Sequence, residues 1–241
     1  MKKSHLILRI FACIILLGLL LVGLFIYPKL KTYEDETIKI VNNSKIDDFK
    51  ITDTQTLLTY EEIPQNVINA FISVEDRTFF ENDGVDYIGI IKALYENIFL
   101  DEKLRGASTI TQQLSRTIYL TREKTLDRKI KEIFVAKELS KKYSKEQIIT
   151  FYINTCCFSN AIYGIEDASK TYFGKTVSNL SLAETAYLCA IPNRPAYFDP
   201  YIDINRPKER QEKILNDMYE LSFISKDELE EALNEEIIIK K

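Results

Sequence analysis

The chemistry open to this sequence rests on carboxylates and cations. Glu75 and Asp76 stand side by side in Val74-Glu75-Asp76-Arg77, and a second candidate carboxylate, Glu132, closes the run Arg128-Lys129-Ile130-Lys131-Glu132. A carboxylate can take a proton from a hydroxyl or give one to a departing oxygen, while guanidinium and ammonium groups stabilise negative charge as it develops. Imidazole chemistry is excluded from most of the chain, because the single histidine, His5, precedes a long hydrophobic segment. No Asp-x-Asp pair occurs, the pairing many sugar-nucleotide transferases use to hold a divalent ion. Cys13, Cys156, Cys157 and Cys189 have no CxxC spacing and read as buried free thiols, with a Cys157–Cys189 bridge as the alternative. Taken singly, the carboxylates are ordinary. An acidic pair before a turn is usually solvated, and Arg128 with Glu132 four residues later is a helix-surface pair worth about 0.3–0.5 kcal/mol.

The elements around these residues begin with a hydrophobic segment. Ile10 to Tyr27 carries no charge, and thirteen of its residues are Leu, Ile, Val or Phe. As a helix it spans roughly 27 Å, close to the hydrocarbon thickness of a bilayer. On the insertion scale those side chains sum to roughly −4 to −8 kcal/mol. The run exceeds the hydrophobic region of a signal peptide and lacks a small-x-small cleavage site, so an anchor is expected. Lys2, Lys3 and Arg9 precede it, which places residues 1–9 in the cytoplasm and everything after Tyr27 outside. The net charge of −4 and pI of about 5.3, with basic residues interspersed among acidic ones, argue against a nucleic-acid partner.

Residues 28–60 read as a polar stalk with an initial strand around Thr37–Val41, and residues 61–241 as one mostly α domain. Pro64 opens a helix that ends near Glu75, ahead of the turn Asn82-Asp83-Gly84. Ile88–Phe99 forms an apolar-rich helix whose Ile88, Ile91 and Tyr95 are either core or a face that dips into the bilayer. Thr109-Ile-Thr-Gln112 fits a capping box, preceded by a turn at Gly106. Further helices are expected over Arg128–Lys142, from Ser144, and over Ile165–Tyr172, Ser181–Ala190, Pro207–Tyr219 and Ser225–Ile237. The chain has seven glycines and no repeat.

Several blocks, in order, resemble the glycosyltransferase domain of bifunctional penicillin-binding proteins and monofunctional peptidoglycan transglycosylases, glycosyltransferase family 51. Glu75-Asp76-Arg77-Thr78-Phe79-Phe80 followed by Gly84-Val85-Asp86 looks like its ED-x-x-F…G-x-D signature. Gly106-Ala-Ser108-Thr109-Ile-Thr-Gln112-Gln113-Leu114 is similar to its G-x-STITQQL. Arg128 to Glu132 matches RKxxE, Tyr152-Ile153-Asn154 through Tyr163-Gly164 to Tyr172-Phe173-Gly174-Lys175 follows, and Leu180 to Glu184 leads into Pro192 and Pro195. Asn82 stands where the family commonly has His, Ser159 and Ala161 replace usual glycines, Arg116 replaces a frequent Lys, and Ser140 a common Glu.

The resemblance implies a lysozyme-like helical glycosyltransferase domain behind one transmembrane helix, single-pass in a bacterial cytoplasmic membrane. The implied reaction polymerises lipid II into β-1,4 glycan with inversion and release of undecaprenyl pyrophosphate. Glu75 is then the general base, and Glu132 a second catalytic carboxylate that positions substrate or cations. Asp76 and Arg77 tune or orient Glu75. Arg116, Lys124, Arg128 and Lys129 suit the pyrophosphate, and Ser108, Thr109, Gln112, Gln113 and Asn154 complete the expected substrate contacts. No metal site and no obligatory cofactor are implied, although a divalent cation such as Mg is compatible. The implied partners are lipid II, the growing lipid-linked glycan, the membrane, and a separate transpeptidase or division proteins, since no serine begins a Ser-x-x-Lys motif. Two other readings share the carboxylates: a lysozyme-like lytic enzyme that cleaves peptidoglycan, and a non-catalytic membrane-tethered scaffold.

Overall fold

The computed structural model describes residues 2–44, 46, 49–99, 107–120, 123 and 125–240, and among them the fold is helical, with one isolated bridge between Cys157 and Tyr163. Helix α1 (Lys2–Leu21) passes through a wider π turn (Val22–Ile26) into α2 (Tyr27–Asn43) without a break. The stretch Cys13–Asn43 contains a window apolar enough to cross a membrane, with a mean hydropathy of 2.3 and none of that window buried. The strand expected around Thr37–Val41 is helix instead. Tyr33, Thr37 and Val41 recur every four residues on one buried face of α2, and this periodic packing overrides the β preference of Thr, Ile and Val.

That buried face lies along α6 (Leu126–Lys142). Lys131 on α6 pairs with Glu36 at 2.8 Å and sits over the Tyr33 ring at 4.9 Å. The rest of the domain consists of α3 (Gln65–Glu75), α4 (Tyr87–Phe99), α5 (Ile110–Tyr119), α7 (Lys145–Thr155), α8 (Ile165–Phe173), α9 (Leu182–Ala190), α10 (Arg206–Glu220) and α11 (Lys226–Asn234). Capping boxes set several of these starts, the anticipated one at Thr109 and others at Ser144, Ser181 and Ser225: each accepts from the backbone of a Gln or Glu three residues on, whose side chain answers the cap. The last helix stops at Asn234, three residues short of expectation. The remaining tail is extended, burying Ile237 and donating the Lys240 amide to the Tyr172 carbonyl at 2.7 Å.

Helices α7 and α9 are buried on nearly every face, which explains their weak amphipathic pattern. Around them α5 packs on α6 and α7, while α10 packs on α9 and α3. Phe71, Leu114, Ile149, Ile153, Tyr172 and Tyr187 fill this core without solvent exposure. Cys156 and Cys189 are buried among them and all four cysteines are free, so no Cys157–Cys189 bridge forms. Between α7 and α8 the chain turns through Ser159, Asn160 and Ala161, three consecutive non-glycine residues at φ of 77°, 46° and 58°.

Candidate active site

Helix α3 ends on Glu75, and the end of that helix, with the following Asp76-Arg77-Thr78, forms one wall of a cleft of about 920 Å³. Helix α4 supplies Gly89, Lys92, Ala93 and Glu96. Ala107, Ser108, Thr109, Gln113 and Arg116 come from the start and exposed side of α5, Pro192 and Asn193 from the turn after α9, and Arg210, Lys213 and Asp217 from α10. The cleft therefore collects five acidic and five basic side chains from helices far apart in sequence.

Glu75 is held from two sides. Gln113 Nε2 donates to its Oε2 at 2.8 Å, and Arg210 Nη2 contacts its Oε1 at 2.5 Å. The Gln113 carbonyl in turn accepts from the Tyr152 hydroxyl at 3.3 Å. Arg210 belongs to none of the sequence blocks. It stands on α10 with Arg206 one turn before and Lys213 one turn after, in a helix whose charges look like a solvated face, and only the packing of α10 on α3 carries its guanidinium to Glu75. Arg77 turns toward α10, meeting Asp217 at 2.8 Å and Glu220 at 3.1 Å; it bridges helices and does not touch Glu75.

Asp76 points into the protein. Its carboxylate accepts from Asn82 Nδ2 at 3.0 and 3.2 Å, from Thr78 Oγ1 at 3.3 Å and from the backbone amide of Ile110, the first residue of α5, at 3.1 Å. A carboxylate at a helix N-terminus is favoured by the free amides there, so Asp76 fastens the end of α3 to the start of α5. Burial pushes its carboxyl above the usual range, and the bonds from Asn82 and Ile110, then the Lys145 charge, bring it partly back. Asn82 relays that charge: its Oδ1 accepts from Lys145 Nζ at 3.2 Å and from the Gly84 amide at 3.0 Å. Burial lowers the Lys145 ammonium, with Asp76 and then Asp83 opposing.

Glu132 lies fully buried on α6 between Arg128 and Lys129, both within ion-pair distance. This knot does not line the cleft. It reaches the rim through Lys129, whose ammonium donates to Ser108 Oγ at 2.8 Å. Two expected substrate contacts are corrected. Gln112 is fully buried, its oxygen accepting from the Thr109 amide at 3.0 Å as the capping partner, so it faces away from the cleft. Asn154 also stands outside the cleft lining, clamping Leu58 through its amide, with the Leu58 N–H at 3.1 Å and C=O at 2.9 Å. Thr109 lines the cleft but spends its hydroxyl on the Gly84 carbonyl at 2.7 Å and on the cap. Arg116 and Lys92 line the cleft, and among the described residues no acidic side chain pairs with either. Gly106 and Lys124 lie outside the described residues.

On α4, Ile88, Ile91 and Tyr95 are 68, 67 and 57% exposed, which excludes the core reading of that face. Gly89, Lys92 and Glu96 of the same helix line the cleft, so an apolar surface and the site share one element. Among the described residues no group of three or more His, Cys, Asp or Glu side chains is arranged to hold a metal ion.

Residues 42–219 match the profile of a family described as Transglycosylase. The chain is 39% identical over 186 residues to penicillin-binding protein 4 of Bacillus subtilis (strain 168), covering 77% of this chain and 30% of that protein. It is also 39% identical over 184 residues to penicillin-binding protein 1A of Aquifex aeolicus (strain VF5), covering 76% of this chain and 25% of that one. With penicillin-binding protein 1A of Rickettsia typhi it shares 30% identity over 254 aligned positions, spanning all of this chain and 32% of the other. The chain thus corresponds to a third or less of the length of these relatives.

Proposed function

The chain belongs to the Transglycosylase family, and from that premise we propose that it polymerises lipid II into β-1,4 glycan strands, with Glu75 as general base. The observation that carries this reading is the grip on Glu75: a carboxylate at the mouth of a helix end, held by Gln113 and Arg210 in a cleft that also presents Arg116 and Lys92. In the reaction, the acceptor sugar hydroxyl attacks the anomeric carbon of the lipid-linked donor. Its proton passes to Glu75, the bond to the pyrophosphate oxygen breaks, and undecaprenyl pyrophosphate leaves with the electron pair. Cations at the cleft stabilise that departing charge, which is worth most where water is scarce. Arg210 also fixes the Glu75 carboxylate from one side, and Lys129 offers its ammonium at the Ser108 rim.

The substrate is lipid-borne, and two features suit that. The helix from α1 into α2 has the length and apolarity to cross a bilayer, and Lys2, Lys3 and Arg9 favour a cytoplasmic N-terminus with the catalytic domain outside. The exposed Ile88, Ile91 and Tyr95 face rests against the membrane surface in this reading, beside the cleft that admits the lipid-linked sugar. Cross-linking of the product would fall to a transpeptidase activity.

The test uses the purified full chain in detergent or bilayer with labelled lipid II, and separately with finished glycan. Polymer from the first supports transfer, and shortening of the second supports the lytic alternative. Glu75→Gln is expected to lower polymerisation by about 10²–10⁴-fold, the usual effect of losing a general base. A loss below about tenfold rejects the assignment.

A further inference from the structure

Behind Glu75 and Gln113 lies a buried tyrosine that the proposed chemistry does not itself use. Tyr152 on α7 is buried, with its ring edge-on to Phe71 at a centroid distance of 5.5 Å. Its hydroxyl donates to Gln113 Oε1 at 3.3 Å, and Gln113 Nε2 donates to Glu75 Oε2 at 2.8 Å. Just past the end of α7, Cys156 donates its backbone amide to the Tyr152 carbonyl at 3.0 Å and is likewise buried.

The direction of these bonds matters. An amide has one donor end and one acceptor end, and a carboxylate acting as a base accepts only. Gln113 serves Glu75 when its nitrogen faces the carboxylate, which leaves its oxygen facing Tyr152. A hydroxyl that donates to that oxygen holds the amide in this orientation; without it, the amide can turn and present its oxygen to Glu75, two acceptors face to face. Burial pushes the Tyr152 phenol well up from its usual range, so it keeps the proton that it donates. Donation therefore runs one way, from Tyr152 through Gln113 to Glu75.

We propose that Tyr152 is a positioning residue for catalysis, fixing the amide orientation of Gln113 so that Glu75 is presented as an aligned acceptor. The inference rests on Glu75 being the base. Tyr152 stands outside the cleft lining, so its removal should lower turnover and leave substrate affinity alone.

The decisive experiment is a double-mutant cycle on the intact 241-residue chain with labelled lipid II, using Tyr152→Phe, Gln113→Ala and the pair, with Glu75→Gln as reference. Phenylalanine keeps the ring against Phe71, so the thermal midpoint should remain within a few degrees, and it removes only the hydroxyl. The expected result is a fall in kcat of about 5–20-fold for Tyr152→Phe with KM within twofold, the loss of one aligned bond of about 1–1.8 kcal/mol. In the Gln113→Ala background the same change should cost less than twofold, because the amide it orients is gone. An equal loss in both backgrounds, a rise in KM without a fall in kcat, or full activity of Tyr152→Phe while Glu75→Gln is inactive would each overturn the positioning role. Retention of more than a tenth of wild-type activity by Glu75→Gln would overturn the assignment of the base and this inference with it.

Discussion

The turn between α7 and α8 makes a quantitative demand on stability. Ser159, Asn160 and Ala161 all sit in the left-handed region, where an L side chain costs roughly 1–2 kcal/mol per residue. Asn is the residue type best suited to that conformation, and it also donates to Asp199 at 2.9 Å. Ser159 has partial compensation through its own bond to Asp199 at 3.1 Å, while Ala161 is exposed and its side chain makes no hydrogen bond. Ala161→Gly removes the local cost and returns about 0.4–1 kcal/mol of unfolded-chain entropy, for a net gain of about 0.5–1 kcal/mol. In a domain of this size that raises the thermal midpoint by about 1–4 °C. Ser159→Gly gains the same relief but loses a buried bond of about 1 kcal/mol, so its net effect should be near zero. Ala161→Val should lower the midpoint, since a branched side chain tolerates positive φ worst. The assay is thermal unfolding of the full chain in detergent, followed by far-ultraviolet circular dichroism at fixed scan rate. If Ala161→Gly is neutral or destabilising while Ser159→Gly stabilises, the strain is not located where these dihedrals put it.

Other outcomes follow from the buried charges. Arg210→Met should lower kcat about 10- to 100-fold, measured by lipid II polymerisation, because it strips Glu75 of its cationic partner and the cleft of a positive charge. Arg128→Met leaves buried Glu132 with Lys129 alone and should cost about 2–4 kcal/mol in chemical denaturation. Asp76 is pushed up by burial, so between its ordinary value of 3.8 and its folded value the native state binds more protons than the unfolded chain, and stability falls as pH rises through that window. Asp76→Asn should flatten this part of the stability–pH curve; an unchanged slope would assign it to another group. Gly84→Ala should unfold the protein or cost more than about 2 kcal/mol, because the new Cβ would lie 2.5 Å from Ser140 Oγ and 2.6 Å from the Ala136 carbonyl at a φ of 96°.

How much was legible in the sequence depends on the range of the forces involved. Caps act over three residues, so the Thr109–Gln112 box was readable from spacing alone, and helix starts fell at the serines that open α7, α9 and α11. Ser159 and Ala161 were noted only as departures from usual glycines; their left-handed backbone became evident in the fold. What failed was the direction in which a side chain faces. Gln112 and Asn154 have hydrogen-bonding ends suited to a sugar, yet one caps its own helix and the other clamps Leu58, and both outcomes are decided by tertiary packing. Thr37–Val41 was misread as a strand because its β-branched residues outweighed a helical period that becomes visible only once α6 is there to bury it. Arg210 could not be found at all: its partner is 135 positions away and its neighbours are commonplace surface charges.

The unbroken passage from α1 through the π turn into α2 has a mechanical consequence. Seventeen residues of α2 extend about 25 Å beyond that turn, and they are bolted sidelong to the helix bearing Glu132. Leaning such a mast by ten degrees would swing its tip by about 4 Å, more than a hydrogen bond's length. A swing of that size would have to be taken up where α2 lies against α6, the helix whose Lys129 meets the cleft rim at Ser108.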